Sequence, residues 1–492
     1  MDGQPMTSVA STGRPGTGRR VVRRLLITSG VACITLGGTL MLLPAEQPAK
    51  APPAPAPGAQ AQARARALAR AQAAVLGGVP VTLPELTTLI GQRETYLRVH
   101  PKDALTWAAL GTAYVEQGRR TAEVAYYYPR AEEALRTSLR TRPKGNTEAL
   151  DGLVALANAR RDFPAAREWG EEALKQAPKH WTTYPLLIDA YTGLGDYKKA
   201  RSTLDKLMAL HKGPAVQARA SAVYRDRGWR EDAAATIADA AAGVQTPAER
   251  AVYQERAGQL AWERGDLQEA LRRFREAVRL DPDQRTAQAG QGRVLAALGR
   301  TGEALTAYRA ALAEQPLPQY ALELGELYQS LGLEQEAREQ YDRVRARVGE
   351  AAAGGADEEL VLGQFEADHG DPVAAVERLR EEWSKQPGIA VADALGWALH
   401  RVGEDDEALD FAKIATDKTA GGGVRSALYA YHAGTIEQQL DLTGTARRHL
   451  QEALRINPGF SPLAAPAARE ALTQLGEPPA DEMPADVEPG RR

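Results

Sequence analysis

The chain has 492 residues, enough for several ordinary domains or one long repeat array, and its single cysteine, Cys33, excludes an intramolecular disulfide. Its formal charge of −3 is uneven: residues 1–75 hold nine Arg/Lys against two Asp/Glu, and the remainder holds 52 against 62. An acidic body argues against nucleic acid as a partner, because neutralising phosphates needs a basic face. Aromatic content of 6% with abundant alanine suits closely packed helix pairs rather than sheets. The excess of arginine (49) over lysine (12) hints at a GC-rich coding genome.

Residues 1–24 form a basic segment containing Arg14, Arg19, Arg20, Arg23 and Arg24. Leu25 to Leu43 follows without a charge. At about 1.5 Å per residue a helix of this length nearly spans a bilayer core. Positive charge before the span and little after it predicts an N-terminus in the cytoplasm and a body outside. An uncleaved anchor fits the long apolar core better, and a cleaved, secreted form is the alternative. Cys33 is either a small residue of the span or a lipid attachment site. Residues 44–83 read as a linker: six prolines lie between Pro44 and Gly58, which favours an extended spacer. Ala59 to Ala74 after it is helix-compatible but has little apolar surface to bury.

From residue 84 to 475 the chain repeats about every 34 residues, the signature of a stacked solenoid. A glycine followed five residues later by an alanine marks it: Gly195 with Ala200, Gly228 with Ala233, Gly265 with Ala270, Gly299 with Ala304, Gly332 with Ala337, Gly370 with Ala375, and Gly403 with Ala408. In the first full unit Trp107, Leu110, Gly111 and Tyr114 share one helix face, which Gly118 is expected to end. Ala131, Leu135, Ser138 and Leu139 face them from a second helix, and Pro143 closes the unit. These residues resemble the tetratricopeptide repeat family, whose pattern runs Trp-x2-Leu-Gly-x2-Tyr, then Ala-x3-Phe, then Pro. Ala270, Phe274 and Pro282 match its second half, as do Ala304, Tyr308 and Pro316; Leu324, Gly325, Tyr328, Ala337 and Tyr341 match both.

The resemblance implies an all-α, right-handed superhelical solenoid of about ten helix-turn-helix units. They are expected at about 104–143, 147–178, 181–212, 214–246, 251–282, 285–316, 318–349, 356–387, 389–420 and 427–458, after a half-unit at Pro84 to Pro101. Eight extra residues in the first unit include Tyr126, Tyr127 and Tyr128, either a binding tip or a lengthened helix. Gly349 to Ala356 and Gly421 to Gly423 read as joints or as tolerated insertions. A helix from Phe460 to Leu475 would cap the array. Glu477 to Arg492, rich in acids and prolines, reads as a disordered tail.

No His-Glu-x-x-His, Cys-x-x-Cys, phosphate loop or nucleophile elbow is present, so neither enzymatic activity nor a cofactor is expected. Glu366 and His369 lie one helical turn apart, a poor metal site on their own. Asp405, Asp406 and Glu407 complement the dipole at a helix start. In the family resembled, the first helix of each unit lines the concave side. Those positions hold Glu116, Asp151, Asp189, Asp226, Glu255, Glu263, Glu326, Asp368 and Asp393. Facing these nine acids are Arg225, Arg293 and Arg401, with Trp262, Trp397 and Tyr431 as aromatics. The carboxylate clamp of chaperone-binding relatives is absent: its positions hold Ala108 with Thr112, Asp151 with Ala155, and Pro185 with Asp189.

The expectation is a membrane-tethered extracytoplasmic scaffold that takes a protein or peptide in its groove. Asp189, Glu255, Trp262, Glu326, Asp393, Trp397 and Tyr431 are the candidate contacts. The acids either select a basic ligand or solubilise an alanine-rich surface. An accessory subunit of an envelope enzyme or transporter is the alternative role.

Overall fold

A computed structural model describes residues 58–476, except 245 and 417–422. The expected span, most of the proline-rich linker, Gly421, Gly422 and the acidic tail lie outside the described residues. No described helix is long and apolar enough to cross a membrane.

The described residues form 23 helices and no strand. α1 (Ala59–Leu76) and α2 (Leu83–Val99) come first. Units one to four are α3 (Ala104–Thr121) with α4 (Val124–Thr141), α5 (Thr147–Ala159) with α6 (Phe163–Gln176), α7 (Thr183–Gly193) with α8 (Tyr197–Leu210), and α9 (Pro214–Asp226) with α10 (Arg230–Gly243). Units five to seven are α11 (Pro247–Glu263) with α12 (Leu267–Leu280), α13 (Arg285–Ala297) with α14 (Thr301–Glu314), and α15 (Pro318–Ser330) with α16 (Glu334–Ala353). Units eight to ten are α17 (Glu359–His369) with α18 (Pro372–Lys385), α19 (Ile389–Arg401) with α20 (Asp405–Thr416), and α21 (Ala427–Gln439) with α22 (Thr443–Ile456). α23 (Ala464–Leu475) follows.

Local chemistry sets the helix ends. Asp103, Asp162 and Asp196 each accept a backbone N–H in the first turn of the helix they precede. Six of the seven marker glycines have positive φ, from 69° at Gly195 to 83° at Gly403, and Gly370 is the exception. Units one, two and ten place Ala122, Arg161 and Asp441 in that left-handed conformation instead. In units two and ten the alanine still follows five residues later, at Ala166 and Ala446, so only the marker glycine is missing there.

Two sequence expectations are corrected. Gly118 does not end the first helix of unit one; α3 runs on to Thr121, and the extra residues lengthen both helices. The Tyr128 ring is buried beside Gly118, and Tyr127 packs near Tyr114, so the tyrosines belong to the helix-helix contact. The stretch from Gly349 to Ala356 is not a free joint: α16 continues through Gly349, and Gly354 lies against Val124 of unit one.

Within a unit, small residues on the first helix receive large ones from the second. Phe274 fills the space between Gly258 and Gly290, where an added Cβ would fall 2.7 and 2.6 Å from its ring. At the end of the array Phe460, Ala467, Ala471 and Leu472 join the core of the last three units, so α23 covers their apolar face.

The solenoid closes on itself. Gln315 Nε2 donates to the Arg119 carbonyl, the Asp357 N–H to the Arg160 carbonyl, the Ile389 N–H to the Tyr197 hydroxyl, and Asn457 Nδ2 to the Trp262 carbonyl. The side-chain members of this set join residues 192 to 196 apart, which is between five and six units of about 34 residues. The turn inside each of units one to five therefore lies on the loop that follows the unit five places later. Arg120 seals one end of this seam, donating to Asp281 at 3.0 Å and to the Val81 carbonyl at 2.6 Å.

Candidate functional site

The first helices of the units face inward. A cavity of about 1080 Å³ lies between α11, α13, α15, α17, α19 and α21. Residues 457–467, which lead into α23, close one end of it.

Five of the seven candidate contacts line this cavity: Trp262, Glu326, Asp393, Trp397 and Tyr431. Asp189 and Glu255 do not; Asp189 is on α7 of unit three, and Glu255 lies about one turn before Gln259, the first α11 residue on the cavity wall. Asp189 forms an ion pair with Arg219. Burial pushes both carboxyls above their ordinary range, with Arg219 and Arg256 opposing at Asp189, and Arg256, Arg119 and Arg293 opposing at Glu255. Asp151 is also committed internally, accepting hydrogen bonds from Thr183 at 2.5 Å and Thr182 at 2.7 Å.

The far end of the cavity is aromatic. Trp397 stacks on His432, with ring centroids 4.2 Å apart and planes 14° from parallel. Its Nε1 donates to Asp368 at 3.0 Å. Tyr431 bridges Trp397 and Phe460, with centroids 5.7 and 5.8 Å away. Asp393, only 3% exposed, accepts from Nδ1 of His432 at 3.1 Å on both oxygens. This bond ties unit nine to unit ten and fixes the imidazole under the indole.

The opposite wall carries a continuous polar ladder. Arg225 clasps Glu263 with two donors at 2.8 Å. Gln259 donates to Glu263 at 3.0 Å and accepts from Arg293 at 2.9 Å. Arg293 donates to Glu323 at 2.7 Å, and Gln319 and the Tyr308 hydroxyl both reach the same carboxylate at 3.0 Å. Burial alone would raise Glu263, but the Arg225 guanidinium holds its carboxyl below the usual range. Charge-assisted bonds of this kind leave the wall polar but neutralised.

The cavity is therefore not the acidic surface expected from nine acids facing three arginines. Its lining holds five carboxylates (Glu263, Glu323, Glu326, Asp368 and Asp393) and five arginines (Arg225, Arg293, Arg401, Arg425 and Arg469). Three histidines, His369, His400 and His432, join them. A single stripe of each first helix omits the cations beside it, such as Arg256 next to Glu255, and those outside the first helices, such as Arg425 in the loop before α21 and Arg469 on α23. The stripe itself was legible; the reach of a long arginine into it was not.

Glu366 and His369 are each engaged elsewhere: Glu366 accepts from Arg378 at 2.9 Å, and His369 stacks on Tyr341 at 4.4 Å. No cluster of three metal-ligating side chains exists among the described residues.

Residues 255–317 and 298–357 match the tetratricopeptide repeat family, so the helix pairs of units five to seven are repeats of that type. No curated protein matches the chain significantly. Among solved structures, the Cut9-Hcn1 hetero-tetramer of the APC/C is 18% identical over 85% of each chain, with a TM-score of 0.38. A human IFIT1 dimer with PPP-AAAA is 13% identical over 79% of this chain and 94% of that one, with a TM-score of 0.43. Yeast Tom70 is 14% identical over 76% and 96%, with a TM-score of 0.30.

Proposed function

We propose that this tetratricopeptide-repeat solenoid is a scaffold that binds a segment of a partner protein inside the concave face of units five to ten. The observation that carries this reading is the aromatic end of the cavity, where Trp397, Tyr431 and Phe460 pack in series, with Trp262 on the opposite wall beside Arg293. Aromatic anchors in desolvated pockets supply most of the energy in protein recognition. Because the ladder opposite is already paired, a partner gains more from apolar and hydrogen-bonding side chains than from a run of like charge. One basic side chain is favoured at Glu326: burial raises that carboxyl, and its neighbour, the His369 ring, is 3.7 Å away.

The uncharged stretch Leu25 to Leu43 behind five arginines supports tethering to a cell membrane, with the solenoid on the extracytoplasmic side. In this reading the scaffold gathers proteins at the bacterial envelope.

Site-specific photocrosslinking in cells tests the binding site. A crosslinker at Gln364 or Phe460, both on the cavity wall, is expected to trap one partner, and a crosslinker at Arg338 on α16, outside it, to trap none. Equal trapping at both places would move the site elsewhere. Protease treatment of spheroplasts tests the topology; a protected solenoid would refute the extracytoplasmic placement.

A further inference from the structure

Only half of each edge of the superhelix is used by its own seam. The turns inside units one to five are covered by loops five units later, but the turns inside units six to ten have no following coil to lie on. Conversely, the loops after α2, α4, α6 and α8 have no preceding coil. These two free edges differ sharply in charge. In and beside the turns of units six to ten lie Glu303, Glu334, Asp371, Glu404, Asp406 and Asp441, all exposed, against Arg300 and Arg401; Glu303 pairs with Arg300 and Glu404 with Arg380, and the other four acids are in no ion pair. The free loops after α2, α4, α6 and α8 carry Lys102, Lys144, Lys179 and Lys212, one in each, all exposed and none in an ion pair, and the free loop after α10 carries none. Of the five loops sealed in the seam, the four around Gln315, Gly354, Pro387 and Asn457 carry no lysine, and the sequence of the fifth, after α20, has Lys418.

The acidic edge is also apolar: Leu333, Val373 and Leu442 are 38%, 58% and 45% exposed there. On the basic edge, Val99 and Leu210 are 75% and 39% exposed. We infer that a second copy of this chain docks head to tail, laying its basic loop edge on the acidic turn edge of the first and extending the internal seam from one molecule to the next. The chain already contains this contact five times over, as turn on loop, so the backbone shapes that must fit are the ones that fit internally. The two edges are different surfaces, so the contact is heterologous and each added copy leaves a free edge.

Sedimentation velocity of the purified full chain in detergent tests this. The wild type is expected to sediment as oligomers that grow with concentration to about 50 µM and dissociate in about 0.5 M salt, where charges are screened within about 4 Å. One variant reverses the basic edge (Lys102→Glu, Lys144→Glu, Lys179→Glu, Lys212→Glu). The other reverses the acidic edge (Glu334→Lys, Asp406→Lys, Asp441→Lys). Each alone is expected to be monomeric with unchanged helicity and melting, and an equimolar mixture to regain oligomers, because every turn edge then meets a loop edge of opposite sign. Both variants keep the N-terminal segment, so association through micelles would persist in them unchanged. A monomeric wild type, persistent association in either variant, or a mixture that stays monomeric would each overturn the inference.

Discussion

Asn457 donates a hydrogen bond from Nδ2 to the carbonyl of Trp262 at 2.9 Å, across 195 residues of chain. Asn457 is buried, and its own Oδ1 accepts from the Gly459 N–H at 3.0 Å. One amide thus joins the end of unit ten to unit five, beside the cavity that Trp262 lines. The shape of the concave site depends on the seam as much as on the stacking of neighbouring units.

Asn457→Ala is expected to lose this bond while the Trp262 carbonyl keeps the Gly265 N–H as its donor at 2.9 Å, so the cost is that of one hydrogen bond, about 0.5–1.5 kcal/mol. Small-angle scattering should show a larger radius of gyration as the last units swing away. An unchanged profile would mean that unit-to-unit stacking alone holds the coil closed.

Arg120 and Asp281 form a buried pair at 3.0 Å, with side chains 8% and 2% exposed. Arg120→Ala removes the ion-pair partner of the buried Asp281 carboxylate, which keeps the Gln284 amide and the Asp283 N–H as donors at 3.1 and 3.2 Å, and roughly 3 kcal/mol of destabilisation is expected in denaturant titration. The double variant Arg120→Ala/Asp281→Ala should cost less than the sum of the single ones. Strict additivity would show that the two side chains do not act on each other.

Gly228 and Gly332 have nearly the same φ, 74° and 72°, but different surroundings. A Cβ at Gly228 would sit 2.3 Å from the Gly423 carbonyl oxygen across the seam, whereas nothing lies within 4 Å of one at Gly332. Gly332→Ala is expected to cost about 1 kcal/mol, the price of a left-handed alanine. Gly228→Ala should cost at least twice that and expand the molecule. Equal melting temperatures for the two variants would contradict the seam.

Glu382 on α18 has one carboxylate oxygen bonded to Gln386 and the other without a partner. Burial, with Asp357 nearby, pushes its carboxyl up to about 7 from 4.5. The folded chain therefore holds this proton more tightly than the unfolded chain. The stabilisation is complete below pH 4.5 and is lost as pH rises through about 7. Glu382→Gln should melt like the wild type at low pH and higher than it at alkaline pH, by up to roughly 3 kcal/mol. Parallel melting curves against pH would refute this.

The sequence by itself determined the helix pairs. Period, glycine turns and small-to-large matching are local, so Gly265 and Ala270, or Gly258 and Phe274, announce their roles from spacing alone. The inward stripe was equally legible, which is why five of seven candidate contacts line the cavity. The closure of the coil was decided by the tertiary structure. It follows from small rotations between successive units, summed over five of them, and no single stretch of sequence encodes that sum. The same holds for charge. Nine acids counted along one stripe look like an acidic groove, but Arg219, Arg256 and Arg425 reach in from other positions, because a long side chain pairs by proximity in space rather than by place in the repeat.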